Sequence, residues 1–147
     1  MYTAVDHQFM SQALAEAQNA LYLSNPNPRV GCIIVKGGVV IGRGHTQRVG
    51  GSHAEVQALA DVKANGLDAA GSTIYVTLEP CTMCAGAMLH ARVDRIVFGT
   101  PDPKTGAAGS VLDVFAMKQI NHQTTIEGGM MSEECGQLLR NFFKERR

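Results

Sequence analysis

An apolar strand, a short helix and a second apolar strand follow one another between residues 72 and 100, and this succession constrains the fold most. The segment "STIYVTLEP" is an apolar run ended by a proline, "CTMCAGAMLHAR" has helical composition, and "DRIVFGT" is again apolar. Strands that are joined through a helix lie parallel in one sheet. A further short strand follows, so a βαβαβ pattern with parallel strands is predicted for the second half of the chain.

The rest of the chain adds a hairpin and three helices to this unit. The predicted elements are a helix over 5–23, hairpin strands over 30–35 and 39–45, a helix over 53–65, a helical turn in 111–117, a strand over 124–128, and a helix over 132–146 capped by Ser132. We therefore predict one α/β domain over residues 1–147. Its architecture is three-layer α/β/α with a central mixed five-stranded sheet.

Composition limits the classes of function. Thirteen basic residues balance thirteen acidic ones, so no overall positive field attracts nucleic acid, and any RNA binding must come from local geometry. The first residues lack the pattern of a secretion signal, and no apolar run is long enough for a membrane span. We expect a cytoplasmic protein without membrane contact. Of the four cysteines, Cys32 and Cys135 fit core positions, which leaves Cys81 and Cys84 with the spacing of metal ligands.

Two predicted helices begin with residues that can bind a metal. His53 and Glu55 open one helix, whereas Cys81 and Cys84 open another directly after a strand. Because ligands in open α/β sheets bind at the end where helices begin, we expect these side chains to converge. Two thiolates and one imidazole fill three tetrahedral positions of Zn²⁺ and leave the fourth for water, the pattern of a catalytic site. We predict one Zn²⁺ per chain.

Glu55 lies two residues beyond the predicted ligand His53. A bound zinc lowers the pKa of its water to about 7, and a carboxylate beside it can take the proton and pass it to a leaving amine. Glu55 is therefore the predicted catalytic residue. Alternatively, it is the capping-box partner of Ser52, a role that can coexist with catalysis.

Two alternatives to a catalytic zinc remain open. A C-x-x-C pair also occurs as a redox centre, although that chemistry needs no H-x-E upstream. A structural zinc needs a fourth protein ligand, for which His90 is the nearest candidate. Such a structural module would bind zinc without catalysing a reaction.

The segments "HAE" and "TLEPCTMCAGAM" match the H-x-E and P-C-x-x-C signature of zinc deaminases, and nearly the whole chain resembles the cytidine deaminase-like superfamily. From "TIYVTLEPC" onward it is similar to bacterial tRNA adenosine deaminase. Before that, "SNPNPRVGCIIV" and "GGSHAEVQALA" are similar to the deaminase domain of the bifunctional riboflavin-biosynthesis deaminase/reductase. We hypothesise a natural hybrid or an engineered chimera with a seam near 71–80.

The resemblance implies the zinc ligands His53, Cys81 and Cys84 with Glu55 as proton shuttle. It also implies substrate contacts at Asn27, Thr46, Ala54 and Asp102. Lys104 is a candidate phosphate contact because of its charge, although such surface charges are common. Thr46 stands where the tRNA enzyme usually has an asparagine that touches the base, and Asn27 is the candidate to replace that contact. Asn27 and Asp102 also fit simple turn and loop roles.

The expected reaction is hydrolytic deamination of a nucleobase. The preferred substrate is adenosine in a tRNA anticodon loop, because the two-residue spacer between the zinc cysteines and the "KTGAAGS" loop follow the tRNA enzyme. The alternatives are a phosphoribosyl aminopyrimidine, as in riboflavin synthesis, and a hybrid that binds zinc without activity. Both families imply a homodimer.

Overall fold

The computed structural model describes residues 2–20, 29–47 and 51–145, and it contains one five-stranded sheet in the order β2-β1-β3-β4-β5. The strands are β1 (Gly31–Lys36), β2 (Val39–His45), β3 (Thr73–Leu78), β4 (Arg95–Thr100) and β5 (Thr125–Glu127). β1 is antiparallel to both neighbours, while β3, β4 and β5 are parallel. The predicted mixed sheet and its parallel second half are confirmed.

Helices cover both faces of this sheet. They are α1 (Ala4–Ala17), α2 (Ala54–Ala64), α3 (Thr82–His90) and α4 (Ser132–Glu145), with short 3₁₀ turns at Gln18–Ala20 and Val114–Ala116. Alternate residues of β1 point to opposite faces, so Ile33 packs in the apolar cluster under α1 and α4, whereas Ile34 packs in the cluster under α2 and α3. The predicted three-layer α/β/α architecture is confirmed.

The end of α1 and the position of Ser132 at the start of α4 differ from the prediction. The first α-helix ends at Ala17, because the amide of Gln18 donates to Ala15, three residues back, and the chain tightens into a 3₁₀ turn. Ser132 does not precede α4 but is its first residue, and its amide donates to the carbonyl of Gly129. No helix in the described ranges is long and apolar enough to span a membrane.

α2 lies unusually close to β2 because β2 carries glycines where the helix crosses it. A Cβ atom at Gly44 would clash with the carbonyl oxygen of Ala54, and one at Gly42 would clash with the side chain of Val62. Any side chain at these positions would push the helix away from the sheet. The two glycines therefore determine where α2 begins, and with it the location of His53.

A partly buried ion-pair network joins α1 to the sheet on the face opposite α2 and α3. The Asp6 carboxylate accepts hydrogen bonds from Arg95 Nη1 at 2.8 Å, Arg95 Nη2 at 3.1 Å, the Tyr75 hydroxyl at 2.7 Å and the Thr3 amide at 3.0 Å. Arg95 Nε also donates to Glu127 at 2.6 Å. The hydrogen bonds from Arg95 hold the pKa of Asp6 well below its usual range, although burial opposes this.

We predict that Asp6→Asn lowers the free energy of unfolding at pH 7 by about 1 to 2 kcal/mol, because it removes charge-assisted hydrogen bonds in a partly exposed ion pair. The folded-state pKa of Asp6 lies below its unfolded value near 4, so its stabilisation is present above about pH 4 and is lost as the pH falls further. Urea unfolding at pH 7 and at about pH 3 should show the difference shrinking at the lower pH. An equal difference at both pH values would contradict this account, and the exposed-site variant Asp113→Asn is the control.

Candidate metal centre and active site

One imidazole and two thiols come together where α2 and α3 begin. Their ligand atoms, one each from His53, Cys81 and Cys84, all lie within 4.8 Å of one another. Nδ1 of His53 is 3.3 Å from the Cys84 sulfur and 3.6 Å from the Cys81 sulfur. The structure thus brings together the three predicted metal ligands. Their donor set of one nitrogen and two sulfurs fits Zn²⁺.

Both helix starts give up their usual capping interaction. His53 and Cys81 are the N-cap residues of α2 and α3, and neither side chain makes a capping hydrogen bond. An N-cap residue normally accepts a hydrogen bond from the first helical turn through a Ser, Thr, Asp or Asn oxygen. Here the extended backbone of each cap directs an imidazole or a thiol into the cluster instead, so both side chains are available to a metal.

The two thiols do not behave alike. A hydrogen bond from Cys84 lowers the pKa of Cys81 to about 5, despite partial burial. The same bond and burial raise the pKa of Cys84. Cys81 therefore gives up its proton more readily than Cys84, whose thiol donates to it. A divalent cation bound at this cluster would displace the remaining proton, because metal-bound thiols are deprotonated.

Glu55 lies beside the cluster and faces the same cavity. Its side chain is 5% exposed, and burial raises its pKa to about 7, with a further contribution from the negative charge of Cys81. A hydrogen bond from the backbone amide of Glu55, the nearby His53 and a hydrogen bond from the Cys84 thiol oppose this rise. A carboxylate with a pKa near neutrality can both accept and release a proton, as a general acid-base group must.

The capping-box interpretation of Glu55 is wrong. The residue that precedes α2 as its N-cap is His53, not Ser52, which lies one position too early to accept from the first turn. Glu55 thus occupies the second helical position, and its side chain turns inward rather than back toward Ser52. The sequence spacing suggested a box because the boundary was placed one residue early.

A cavity of about 340 Å³ opens beside Glu55 and the cluster. Of the predicted substrate contacts, Thr46, Ala54 and Asp102 line it together with His53 and Cys81. Thr46 Oγ1 accepts a hydrogen bond from the Val30 amide at 2.9 Å, which orients this side chain at the cavity wall. Asn27 lies outside the described residues, so its contact with a base stays a prediction.

Lys104 lies away from this cavity. It borders a neighbouring depression lined by Leu78, Pro101, Asp102, Pro103, Thr105 and Leu139. Asp102 belongs to both cavities, but its carboxylate already accepts hydrogen bonds from the Lys104 amide at 3.0 Å and the Thr105 hydroxyl at 2.7 Å. Asp102 therefore stabilises its own loop, and its contact with substrate stays a prediction.

Glu79 is 3% exposed and lines the cavity, and it was not predicted as a site residue. Burial raises the pKa of its carboxylate, but hydrogen bonds from Ser110, Asp102 and Ala108 outweigh burial and keep the pKa below its ordinary value. A charged residue inside the apolar strand segment "TIYVTLEP" was the available signal, because a buried carboxylate requires partners. Those partners are 23 to 31 residues away and cannot be read locally.

Neither alternative to a catalytic zinc gains support from this arrangement. His90 is the last residue of α3, and among the described residues the cluster comprises only His53, Cys81 and Cys84. The set of protein ligands therefore has three members and not the four of a structural site. A redox pair would leave unexplained why the imidazole of His53 contacts both sulfurs.

This combination of a three-ligand cluster, a buried carboxylate and an open cavity agrees with the comparisons with known proteins. A family model described as the cytidine and deoxycytidylate deaminase zinc-binding region matches residues 3–100. The match spans α1 to the end of β4 and includes every residue of the cluster. The chain belongs to this family of zinc-dependent deaminases.

Two groups of relatives resemble the chain over most of its length. It is 38% identical to the tRNA-specific adenosine deaminase of Bacillus subtilis, covering 97% of this chain and 91% of that protein. A solved structure from work on A-to-I editing by tRNA:A34 deaminases superposes with a TM-score of 0.77, 33% identity, and coverage of 90% and 99%. Each of these matches extends over at least nine-tenths of both chains.

The second group is represented by a longer protein from Thermotoga maritima. The structure of its diaminohydroxyphosphoribosylaminopyrimidine deaminase/5-amino-6-(5-phosphoribosylamino)uracil reductase superposes with a TM-score of 0.81 and 32% identity. The match covers 97% of this chain but only 42% of that one. The resemblance to both groups therefore extends across both halves of the chain.

We predict that the purified protein binds one zinc ion per chain and that Cys84→Ala loses most of it, because the variant leaves only two protein ligands in the cluster. Zinc content measured by elemental analysis after dialysis tests this. Cys135→Ala is the matched control, since it also removes a buried thiol, but one that lies on α4 and outside the metal cluster. Equal zinc content in the two variants would contradict the assignment.

Proposed function

We propose that this protein hydrolytically deaminates adenosine in a tRNA anticodon loop. The observation that carries the proposal is the placement of Glu55. Its buried carboxylate, with a pKa near 7, shares a cavity with His53 and Cys81, two of the three residues that fit a zinc ion. A proton acceptor beside a metal that activates water is the arrangement that hydrolytic deamination requires.

In the proposed mechanism the three ligand residues hold the metal and Glu55 transfers protons. When bound, zinc acts as a Lewis acid that lowers the pKa of water near it. His53, Cys81 and Cys84 would hold the ion at one end of the cavity, and Glu55 accepts the proton from the attacking water. Glu55 then donates a proton to the departing amino group, which leaves as ammonia. Burial of Glu55 supports both steps, because its pKa is close to neutrality.

Support for the tRNA substrate comes from the relatives and from the metal motif. The Bacillus subtilis relative is named a tRNA-specific adenosine deaminase, and this chain covers 91% of it. Only Thr82 and Met83 separate the two cysteines, so no insertion is present that would add contacts to a phosphoribosyl group. A tRNA base would have to leave its stack to reach Glu55, and bases in a single-stranded loop can do so at low cost.

A phosphoribosyl aminopyrimidine is the second candidate substrate. The Thermotoga maritima relative is named for deamination of such a compound, and its fold superposes on 97% of this chain. Thr46 lies at the cavity wall where the tRNA enzyme is expected to have an asparagine. This difference favours a base other than adenine. A zinc-bound hybrid without activity is the third candidate.

The organisation of the chain is part of the same proposal. We infer one domain over residues 1–147 that acts in the cytoplasm as a homodimer, with a parental seam near 71–80. A seam there would coincide with β3, the central strand of the described sheet, so the two parental halves would have to pack across it. Light scattering coupled to size-exclusion chromatography tests the dimer, and a monomer alone would contradict it.

We predict that Glu55→Gln lowers ammonia release by about 10²-fold or more, because the amide cannot accept the proton from water. Zinc content should stay unchanged, since Glu55 is not a member of the ligand cluster. Glu134→Gln is the matched control, because it makes the same change at an exposed site on α4. Unchanged turnover in Glu55→Gln would refute the catalytic assignment.

The substrate is tested by ammonia release from two compounds under one set of conditions. We expect the zinc-loaded protein to act on an anticodon stem-loop that contains a wobble adenosine, and not on the phosphoribosyl aminopyrimidine. Turnover of the pyrimidine alone would establish the second candidate. No turnover of either, with zinc bound, would favour the inactive hybrid.

A further inference from the structure

Resting on the proposed deamination, we propose that Glu79 is a positioning residue that holds one wall of the substrate cavity. Its carboxylate fastens the loop over 102–110 to the chain segment that leads into Cys81. Through this loop, Glu79 controls how well substrate binds. It does not take part in the reaction at the metal cluster.

All four hydrogen bonds to this carboxylate come from the one loop. Glu79 Oε1 accepts from the Asp102 amide at 3.0 Å and from the Ser110 hydroxyl. Glu79 Oε2 accepts from the amides of Ala108 at 2.9 Å and Ser110 at 3.1 Å. The donors lie at both ends of the loop, so this one side chain holds the two ends together.

The loop is wrapped around the carboxylate without spare room. A Cβ atom at Gly106 would clash with Oε2 of Glu79, and the amide of Ala107 donates to the carbonyl of Pro80 at 2.8 Å. The backbone amide of Glu79 is itself bonded to the carbonyl of Thr100 on β4 at 2.9 Å. The loop is therefore attached to the rigid end of the sheet and not to another loop.

This loop supplies one side of the cavity that contains Glu55. Asp102 and Thr105 line the cavity together with residues at the start of α2, and a hydrogen bond joins their side chains. Neither residue belongs to the His53, Cys81 and Cys84 cluster. Release of the loop would thus move a wall that contacts substrate and leave the metal ligands and Glu55 in place.

The informative variant is Glu79→Gln. It keeps the size of the side chain, but its NH₂ group cannot accept hydrogen bonds, so two of the four loop donors lose their acceptor. We expect KM for the anticodon stem-loop to rise about tenfold and kcat to change less than about threefold, because the lost contacts concern binding geometry. Zinc content should equal that of the unmodified protein.

Glu127→Gln is the matched control for a general loss of stability. It alters a half-buried carboxylate that accepts a hydrogen bond from Arg95. Glu127 lies on β5, at the edge of the described sheet, and does not line the cavity. We expect this control to lower Tm without changing KM. If Glu79→Gln likewise lowers Tm and leaves KM unchanged, Glu79 is only structural and the proposal fails. Loss of zinc or a fall in kcat alone would overturn it as well.

Two further measurements keep the proposal testable if Glu79→Gln does not fold or if neither compound is a substrate. Ser110→Ala removes a loop donor at an exposed position, and we expect KM to rise about threefold.

Hydrogen exchange needs no turnover, and in either variant we expect faster exchange at the amides of Ala108 and Ser110 with no change at Ala85 in α3. Unchanged exchange in the loop would refute positioning, whereas an unmodified protein without turnover would refute only the proposed function.

Discussion

The convergence of two helix N-termini at one end of the sheet is the constraint on which the site depends. Glycines on β2 let α2 approach closely, and β3 leads directly into α3, so His53 and Cys81 come within 3.6 Å of each other. Both residues occupy N-cap positions without capping, at a cost of about 1 kcal/mol each. Packing of the two helices against the sheet offsets that cost, and the uncapped side chains are left free for a metal.

The site has two parts, a metal cluster that two helices position and a cavity wall that a loop supplies. The metal ligands and Glu55 lie at the starts of α2 and α3, two helices that pack against the sheet, where side-chain positions vary little. Asp102 and Thr105 lie on a loop, which is attached to the sheet through the carboxylate of Glu79. Such a division allows related proteins to share one hydrolytic reaction and differ in substrate, because changes in the loop need not disturb the metal cluster.

Much of the fold and of the metal site could be predicted from local sequence. Strand periodicity and the helix between β3 and β4 were sufficient to predict the parallel strands. The spacing of Cys81 and Cys84, together with the H-x-E segment, was sufficient to predict the metal cluster. Interactions between distant residues were not predictable: Asp6 meets Arg95 across 89 positions. Glu79 likewise finds its partners in a distant loop. The contact of Asn27 and the seam near 71–80 stay predictions.

Hydrolytic deamination requires a metal site with three protein ligands and one coordination position left for the reaction. X-ray absorption spectroscopy at the zinc edge of the loaded protein tests this most directly, because sulfur and imidazole ligands give distinct signals. We expect two sulfur ligands and one imidazole from the chain, with the fourth place taken by a light atom that substrate analogues perturb. Two sulfurs with two imidazoles, unaffected by any analogue, would show a closed structural site and contradict the account.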